Sequence, residues 1–405
     1  MRTQTPERVP LPGERALPEG ESLGIGRWAR RAYGYDDIAL VPAASTLDPE
    51  DVDTSWEVGG IRFRIPVLAA AMDSVTDVRV AALLHEVGGA GVLNLEGIQT
   101  RYEDPAEAIE AIVRAPQERC VAVLQEVYRR PIREELVARR VQELKRAAAV
   151  ALAAVTPGNA PWLAPIAREA GLDVLVVQST VVTAQHRSSR GRGVSLPELV
   201  DRMGIPVMAG NCVSYAQAMG LLEAGVAGVF VGVGPGAACT SRRVLGVGVP
   251  QVTALCDVAA ARDAYYVRTG RYVPVIADGG LTVGGDLAKA IACGADAVML
   301  GSALARAEEA PGRGYHWGMA TPHPALPRGT RIHVGTTGTL RQILLGPAQV
   351  DDGSQNLVEA LRTAMGMCGA ATIREMHRVE VVLAPALATE GKAVQFAQRV
   401  GQGRP

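Results

Sequence analysis

Eight short apolar runs constrain this chain more than any other feature: 66–72 (PVLAAAM), 90–95 (AGVLNL), 150–155 (VALAAV), 174–179 (VLVVQS), 206–210 (PVMAG), 229–233 (VFVGV), 274–278 (PVIAD) and 297–302 (AVMLGS). Each ends in small or polar residues and is followed by a helix-like stretch. Strands that are apolar on both faces, joined by crossover helices, belong to a parallel sheet covered on both sides. Eight such units are the number of a closed (β/α)8 barrel, with an open doubly wound sheet as the alternative. A length of 405 residues accommodates one large barrel with additions.

The ends and one internal stretch fall outside this rhythm. Residues 1–22 hold four prolines and no apolar core, so they read as a disordered lead-in and not as a secretory signal. The following DDIALVP, residues 36–42, is expected to cap the bottom of the barrel. Between the second and third runs, residues 101–149 contain one helix-like segment, 133–145, with apolar positions 136, 137, 141 and 144 and a charged, solvated face. After the eighth run, residues 303–350 include a Pro/Gly-rich loop, 318–329, long enough for a lid. A last helix is expected over 356–367, and the tail, residues 386–405, reads as loose. The catalytic unit is thus 23–385.

A net charge of −1 without a long basic run argues against a nucleic-acid surface, and no run of about 18 uncharged apolar residues suggests a membrane span. The six cysteines form no C-x-x-C pair, so the sequence indicates neither a zinc site nor a disulfide framework, and a reducing cytoplasm fits.

Sites in such barrels lie at the C-terminal ends of the strands, commonly with phosphate held after strands seven and eight. The sixth run opens into Gly234-Pro235-Gly236 and then Cys239-Thr240-Ser241-Arg242-Arg243, a thiol on a tight loop among hydroxyls and positive charge. That is how a nucleophilic cysteine is presented, although a structural cysteine beside a barrel turn has the same local sequence. Asp278-Gly279-Gly280 follows the seventh run and Gly301-Ser302 the eighth. Glycine amides and a serine hydroxyl suit a phosphate, and an Asp suits a ribose diol. Together the three loops indicate a nucleotide site.

These loops also carry a resemblance. The motifs GVGPGAACTSR (232–242), GVGVPQ (246–251), IADGG (276–280), VMLGS (298–302), WGM (317–319), LRTAMGMCGAA (361–371), AMDSV (71–75) and DDIALVP (36–42) resemble the IMP dehydrogenase/GMP reductase family over residues 33–382. The chain is most similar to its short subfamily without the regulatory CBS pair, whose place residues 101–149 occupy. The resemblance implies that Cys239 attacks C2 of a purine nucleotide and that hydride passes between C2 and a nicotinamide. It implies Ser241 beside the thiol, Asp278 on the ribose, Gly280, Gly301 and Ser302 on the phosphate, Met319 on the base, and Met72 and Gly318 among the other substrate-binding residues. It assigns NAD to Gln178, Ser179, Thr180 and Asn211, a K⁺ ion to the carbonyls of Gly234, Gly236 and Cys239, and a homotetramer to the assembly.

Departures from the family pattern are equally informative. Ser241 stands where the family usually has Thr, Ala237 where it has a phosphate-binding Ser, and Gln178 where it has an Asp for the cofactor ribose. The loop from Met319 to Arg328 is far shorter than the family's flap and lacks its Arg-Tyr pair. No Asp or Glu lies between Glu309 and Asp351, so a reductase's acid has no counterpart, and Arg328 stands about where it would be. The expectation is therefore an IMP dehydrogenase in which Arg328, or else Arg331, serves hydrolysis, with His323 and His333 as further candidates. A GMP reductase, or a nucleotide-binding regulator without turnover, are the alternatives.

Overall fold

The computed structural model describes residues 20–186, 195–318, 331–384, 392–398, 400 and 401. Eight parallel strands close into a barrel. In chain order they are Val67–Ala69, Ala90–Asn94, Leu152–Val155, Val174–Gln178, Val207–Cys212, Gly228–Val231, Val275–Asp278 and Ala297–Leu300. Each pairs with the next, and the eighth returns to the first through Val298 opposite Val67 and Leu300 opposite Ala69. The sheet is thus a closed barrel and not the open doubly wound alternative. Because helices cover the outside and side chains fill the inside, the strands are buried along both faces, which is why their sequence reads as unbroken apolar runs.

Local chemistry starts the outer helices. Asp77 accepts from Val80 N ahead of the helix Val78–Glu86, and Ser214 accepts from Gln217 N ahead of Tyr215–Glu223. Each cap satisfies one of the amides that a helix start leaves without a partner.

The N-terminal end of the barrel is closed by the hairpin Trp56–Val58/Ile61–Phe63, not by residues 36–42 as the sequence suggested. Trp56 and Phe63 stack with centroids 5.3 Å apart, and Gly59 lies against Pro206, just before the fifth strand. The segment 36–42 instead runs along the outside: Ile38–Leu40 pairs with Val381–Leu383, and Lys289 of the helix Gly284–Ala292 donates to Tyr35 O at 2.9 Å. At the front of the chain, Glu21–Gly24 pairs with Arg27–Ala29, so regular structure begins inside the stretch expected to be disordered. Near the other end, Ala393–Gln398 is helical.

Residues 101–149 form three helices, Ala106–Arg114, Cys120–Arg129 and Glu134–Ala148, and no CBS-like insertion. The third buries Leu136, Val137, Val141 and Leu144, the four positions its periodicity singles out. The first two make a core of their own, in which Ile98, Ile109, Ile112, Cys120, Leu124 and Val127 pack with Trp317. After the eighth strand, Tyr315–His316 and Ile332–His333 pair as a two-stranded stem.

Candidate functional site

The sixth strand ends at Val231, and the chain then turns through Gly232, where φ is +149°. A Cβ there would overlap the carbonyl oxygen of Asp278, so only glycine lets the sixth and seventh strand ends approach this closely. Gln251, the first residue of the long helix Gln251–Thr269, fastens the same two ends by donating to Val231 O at 2.7 Å and Asp278 O at 3.3 Å. Between these points the loop carries Cys239. Its thiol is exposed and stands 3.3 Å from the Ser241 hydroxyl, and Cys239 N donates to Gly236 O at 2.9 Å to close the turn.

Arg242 was expected to lend positive charge to the sulfur, but its guanidinium crosses the neck of the loop, donating to Val233 O at 3.2 Å and Val249 O at 2.7 Å. It shapes the loop. Cys212 is buried, and burial pushes its thiol up to about 12. Cys256 is exposed and pulled down to about 7 by a hydrogen bond with Cys293, but it lies on the outer helix Gln251–Thr269. Cys239 alone of the described cysteines is placed on a strand-end loop at the barrel mouth.

At the centre of that mouth, Asp278 Oδ2 accepts from Asn211 Nδ2 at 2.7 Å and from Gln178 Nε2 at 3.0 Å. Those two amides are themselves joined at 3.1 Å, and Asn211 also donates to Gly232 O at 2.7 Å. Desolvation outweighs both amides and pushes the Asp278 carboxyl up to about 6. The bonded oxygen is Oδ2, which leaves Oδ1 for a ligand. Gln178 and Asn211, two of the residues expected at the cofactor, are buried side chains whose amide nitrogens are bonded to Asp278. Of the four residues assigned to NAD, Ser179 and Thr180 stay half-buried at the rim, where the Ser179 hydroxyl donates to Val181 O at 2.9 Å.

The three residues expected at the phosphate each follow the seventh or eighth strand. Gly280 lies against Pro235, Gly301 lies against the Met72 sulfur, and Ser302 opens the short helix Ser302–Ala305. His316 was missed by the sequence reading. Its Nε2 stands 3.0 Å from Ser302 Oγ, its Nδ1 is buried without a partner, and burial lowers its pKa, which favours the neutral ring. A neutral imidazole fixes the rotor of the Ser302 hydroxyl. The signal available was its position, three residues before Met319.

Arg331 is the correction among the hydrolytic candidates. Its Nη1 donates to the carbonyls of Ile112 at 2.6 Å and Val113 at 2.8 Å, at the end of the helix Ala106–Arg114, and its guanidinium covers the Tyr315 ring at 4.6 Å. It is a buried helix-end cap, unavailable to activate water. His333 packs on Tyr315, ring centroids 4.4 Å apart. Gly318 ends the described stem with φ +75°. Met319, His323 and Arg328 lie outside the described residues.

Among the described residues no cluster of His, Cys, Asp and Glu is arranged to hold a metal ion, and no helix is long and apolar enough to cross a membrane. The carbonyl oxygens proposed for K⁺ would come from backbone, and that of Gly236 already accepts Cys239 N.

Comparison with known proteins agrees with this architecture. Residues 32–320 match the family model of the IMP dehydrogenase / GMP reductase domain. An uncharacterized oxidoreductase of Mycobacterium leprae is 40% identical over 370 residues, covering 89% of this chain and 99% of its own. Inosine-5'-monophosphate dehydrogenase of Escherichia coli K12 is 28% identical over 477 aligned positions, covering 87% of this chain and 93% of its own. That alignment is longer than this whole chain, so the E. coli enzyme carries sequence inserted relative to it. The crystal structure of an IMP dehydrogenase/GMP reductase-like protein from Corynebacterium glutamicum superposes with a TM-score of 0.85 at 37% identity, covering 90% of this chain and 97% of that one. By fold, strand-end chemistry and sequence, this chain belongs to the IMP dehydrogenase/GMP reductase family of oxidoreductases.

Proposed function

We propose that the protein is an IMP dehydrogenase, which oxidises IMP with NAD⁺ and water to XMP, NADH and a proton. The observation that carries this reading is the thiol of Cys239 on a loop pinned to the strand end that bears Asp278, a nucleophile and a ribose ligand fixed to one frame. Cys239 adds as its thiolate to C2 of the hypoxanthine, since the thiol is a weak nucleophile. Ser241 accepts the S–H hydrogen bond in the resting site and, by turning its hydroxyl, donates to the thiolate. Asp278 holds the ribose through Oδ1, Ser302 and the glycines at 280 and 301 hold the phosphate, and Met72 lies beside the base.

NAD⁺ is the second substrate and takes the hydride. Ser179 and Thr180 are the rim residues left to meet it. Water then releases XMP from the sulfur, restoring the thiol. Arg328 is our candidate for orienting that water. A K⁺ ion on the carbonyls of Gly234, Gly236 and Cys239 would steady the loop, and a homotetramer is the assembly we propose.

Direction is supported by the absence of an acid to expel ammonia. No Asp or Glu occurs between Glu309 and Asp351, and Glu309 itself accepts from Leu340 N at 2.8 Å. Paired assays at 340 nm decide: IMP with NAD⁺, and GMP with NADPH, each with K⁺. XMP formed in the first alone agrees with the proposal. IMP and ammonia formed in the second alone would make it a reductase, and turnover in neither would favour a nucleotide-binding regulator. With activity in hand, an unchanged hydrolysis rate in R328A removes Arg328 from the mechanism.

A further inference from the structure

The two helices Ala106–Arg114 and Cys120–Arg129 add nothing to the barrel wall, yet one of their side chains reaches the polar framework beneath the mouth. Tyr128 Oη donates to Asp73 Oδ2 at 2.6 Å and accepts from Trp317 Nε1 at 2.9 Å. All three side chains are buried. Asp73 also accepts from Ile98 N at 2.9 Å, in the turn Ile98–Thr100 that precedes the inserted segment, so Tyr128 is the insert's own contact with this carboxylate. Each partner of Tyr128 adjoins a residue of the site: Asp73 follows Met72, and Trp317 follows His316, the partner of Ser302.

We propose that Tyr128 is a positioning residue of the nucleotide site, a single hydroxyl that sets the base-side loop at Met72 against the phosphate-side stem at His316. This inference rests on the purine-nucleotide reading above. Packing alone would be served by phenylalanine. A buried hydroxyl that both donates and accepts imposes a direction at each end, and a fully satisfied buried network fixes one geometry. The insert is also tied to the other strand of the stem, through Arg331 and the carbonyls of Ile112 and Val113. Both strands of the stem are therefore referenced to the insert, and the loop at Met72 is referenced to it through Tyr128.

The test compares two reagents at one sulfur. One is a purine ribonucleoside 5'-monophosphate bearing a leaving group on the ring, the other iodoacetamide. Modification is followed by mass spectrometry of the peptide containing Cys239, because Cys256 is exposed as well. In the full-length wild-type protein the nucleotide reagent is expected to react much faster. In Y128F that advantage is expected to fall roughly 10- to 100-fold, the scale of an ångström-sized misplacement, with the iodoacetamide rate unchanged. W317F, which leaves the Tyr128–Asp73 bond intact, is expected to lose advantage in the same direction, and it carries the test if Y128F does not fold. Retention of the wild-type advantage in the folded variants overturns the inference, as does an equal fall with both reagents. A wild-type protein that shows no preference for the nucleotide reagent would instead sink the purine-nucleotide reading, and this inference with it.

Discussion

Replacing Asp278 with Asn should make the ligand-free protein more stable at neutral pH while abolishing nucleotide capture. Burial holds the carboxyl at about 6 against an ordinary 3.8. At 1.36 kcal/mol per pH unit this gap corresponds to about 3 kcal/mol, and because Asp278 keeps some contact with solvent at the mouth, the effect is trimmed to about 1–2 kcal/mol. The sign follows from proton uptake. Between about pH 4 and 6 the folded chain holds a proton that the unfolded chain has released, so this group's contribution to stability rises as pH falls through 6 and is complete below 3.8. At pH 7 the ionised carboxylate is a cost. An asparagine can keep an oxygen toward Asn211 and Gln178 without that charge. Urea unfolding of wild type and D278N at pH 7, 5.5 and 4 should show the variant ahead by about 1–2 kcal/mol at pH 7, with the lead vanishing toward pH 4. A variant that is less stable at pH 7, or whose difference from wild type does not depend on pH, would refute the argument. In the wild type, nucleotide affinity should weaken as pH drops below about 6, since the protonated acid no longer accepts both ribose hydroxyls.

Other perturbations test other parts of the site. C239A should lower turnover by on the order of 10⁴ or more while leaving nucleotide binding measurable by calorimetry. H316F should raise KM for the nucleotide about 2- to 10-fold with little change in kcat, the worth of one hydrogen bond; an unchanged KM would show that Ser302 needs no partner. G232A should cost about 2–5 kcal/mol in urea unfolding, because its Cβ collides with Asp278 O at a φ that side chains avoid. R331A should lower stability by about 1–3 kcal/mol by stranding two helix-end carbonyls, and a selective loss of hydrolysis without that destabilisation would restore Arg331 to the mechanism.

The barrel was legible because strands buried on two faces write a distinctive text, and each of the eight runs falls on an observed strand. The positions of the Cys239 loop and of Asp278 at the barrel mouth were legible because they follow directly from the ends of strands six and seven. What escaped depends on where side chains turn. Gln178 closes its strand with a polar group that can face the rim or the axis, and only the neighbouring Asn211 and Asp278 turn it inward. Arg331, a charge just past a Pro/Gly-rich loop, reads as a candidate for the chemistry until the end of a helix more than 200 residues earlier is placed under it. Tyr128 looks like core, on a face with Cys120, Leu124 and Val127, and its hydroxyl acquires meaning from an aspartate 55 residues back. The outward position of residues 36–42 was likewise hidden, since their strand partner is Val381–Leu383.

The neck of the Cys239 loop has a consequence for how such a protein can change. Arg242 ties Val233 to Val249, and Gln251 ties the loop's exit to the strand ends beneath it. The excursion from 234 to 248 is therefore a cassette closed at its base. Substitutions at its exposed tip, such as at Ala237, can be made without disturbing the barrel, so long as the arginine and glutamine are carried along. Loop grafting between members of the family is then a practical way to vary this loop on an unchanged base.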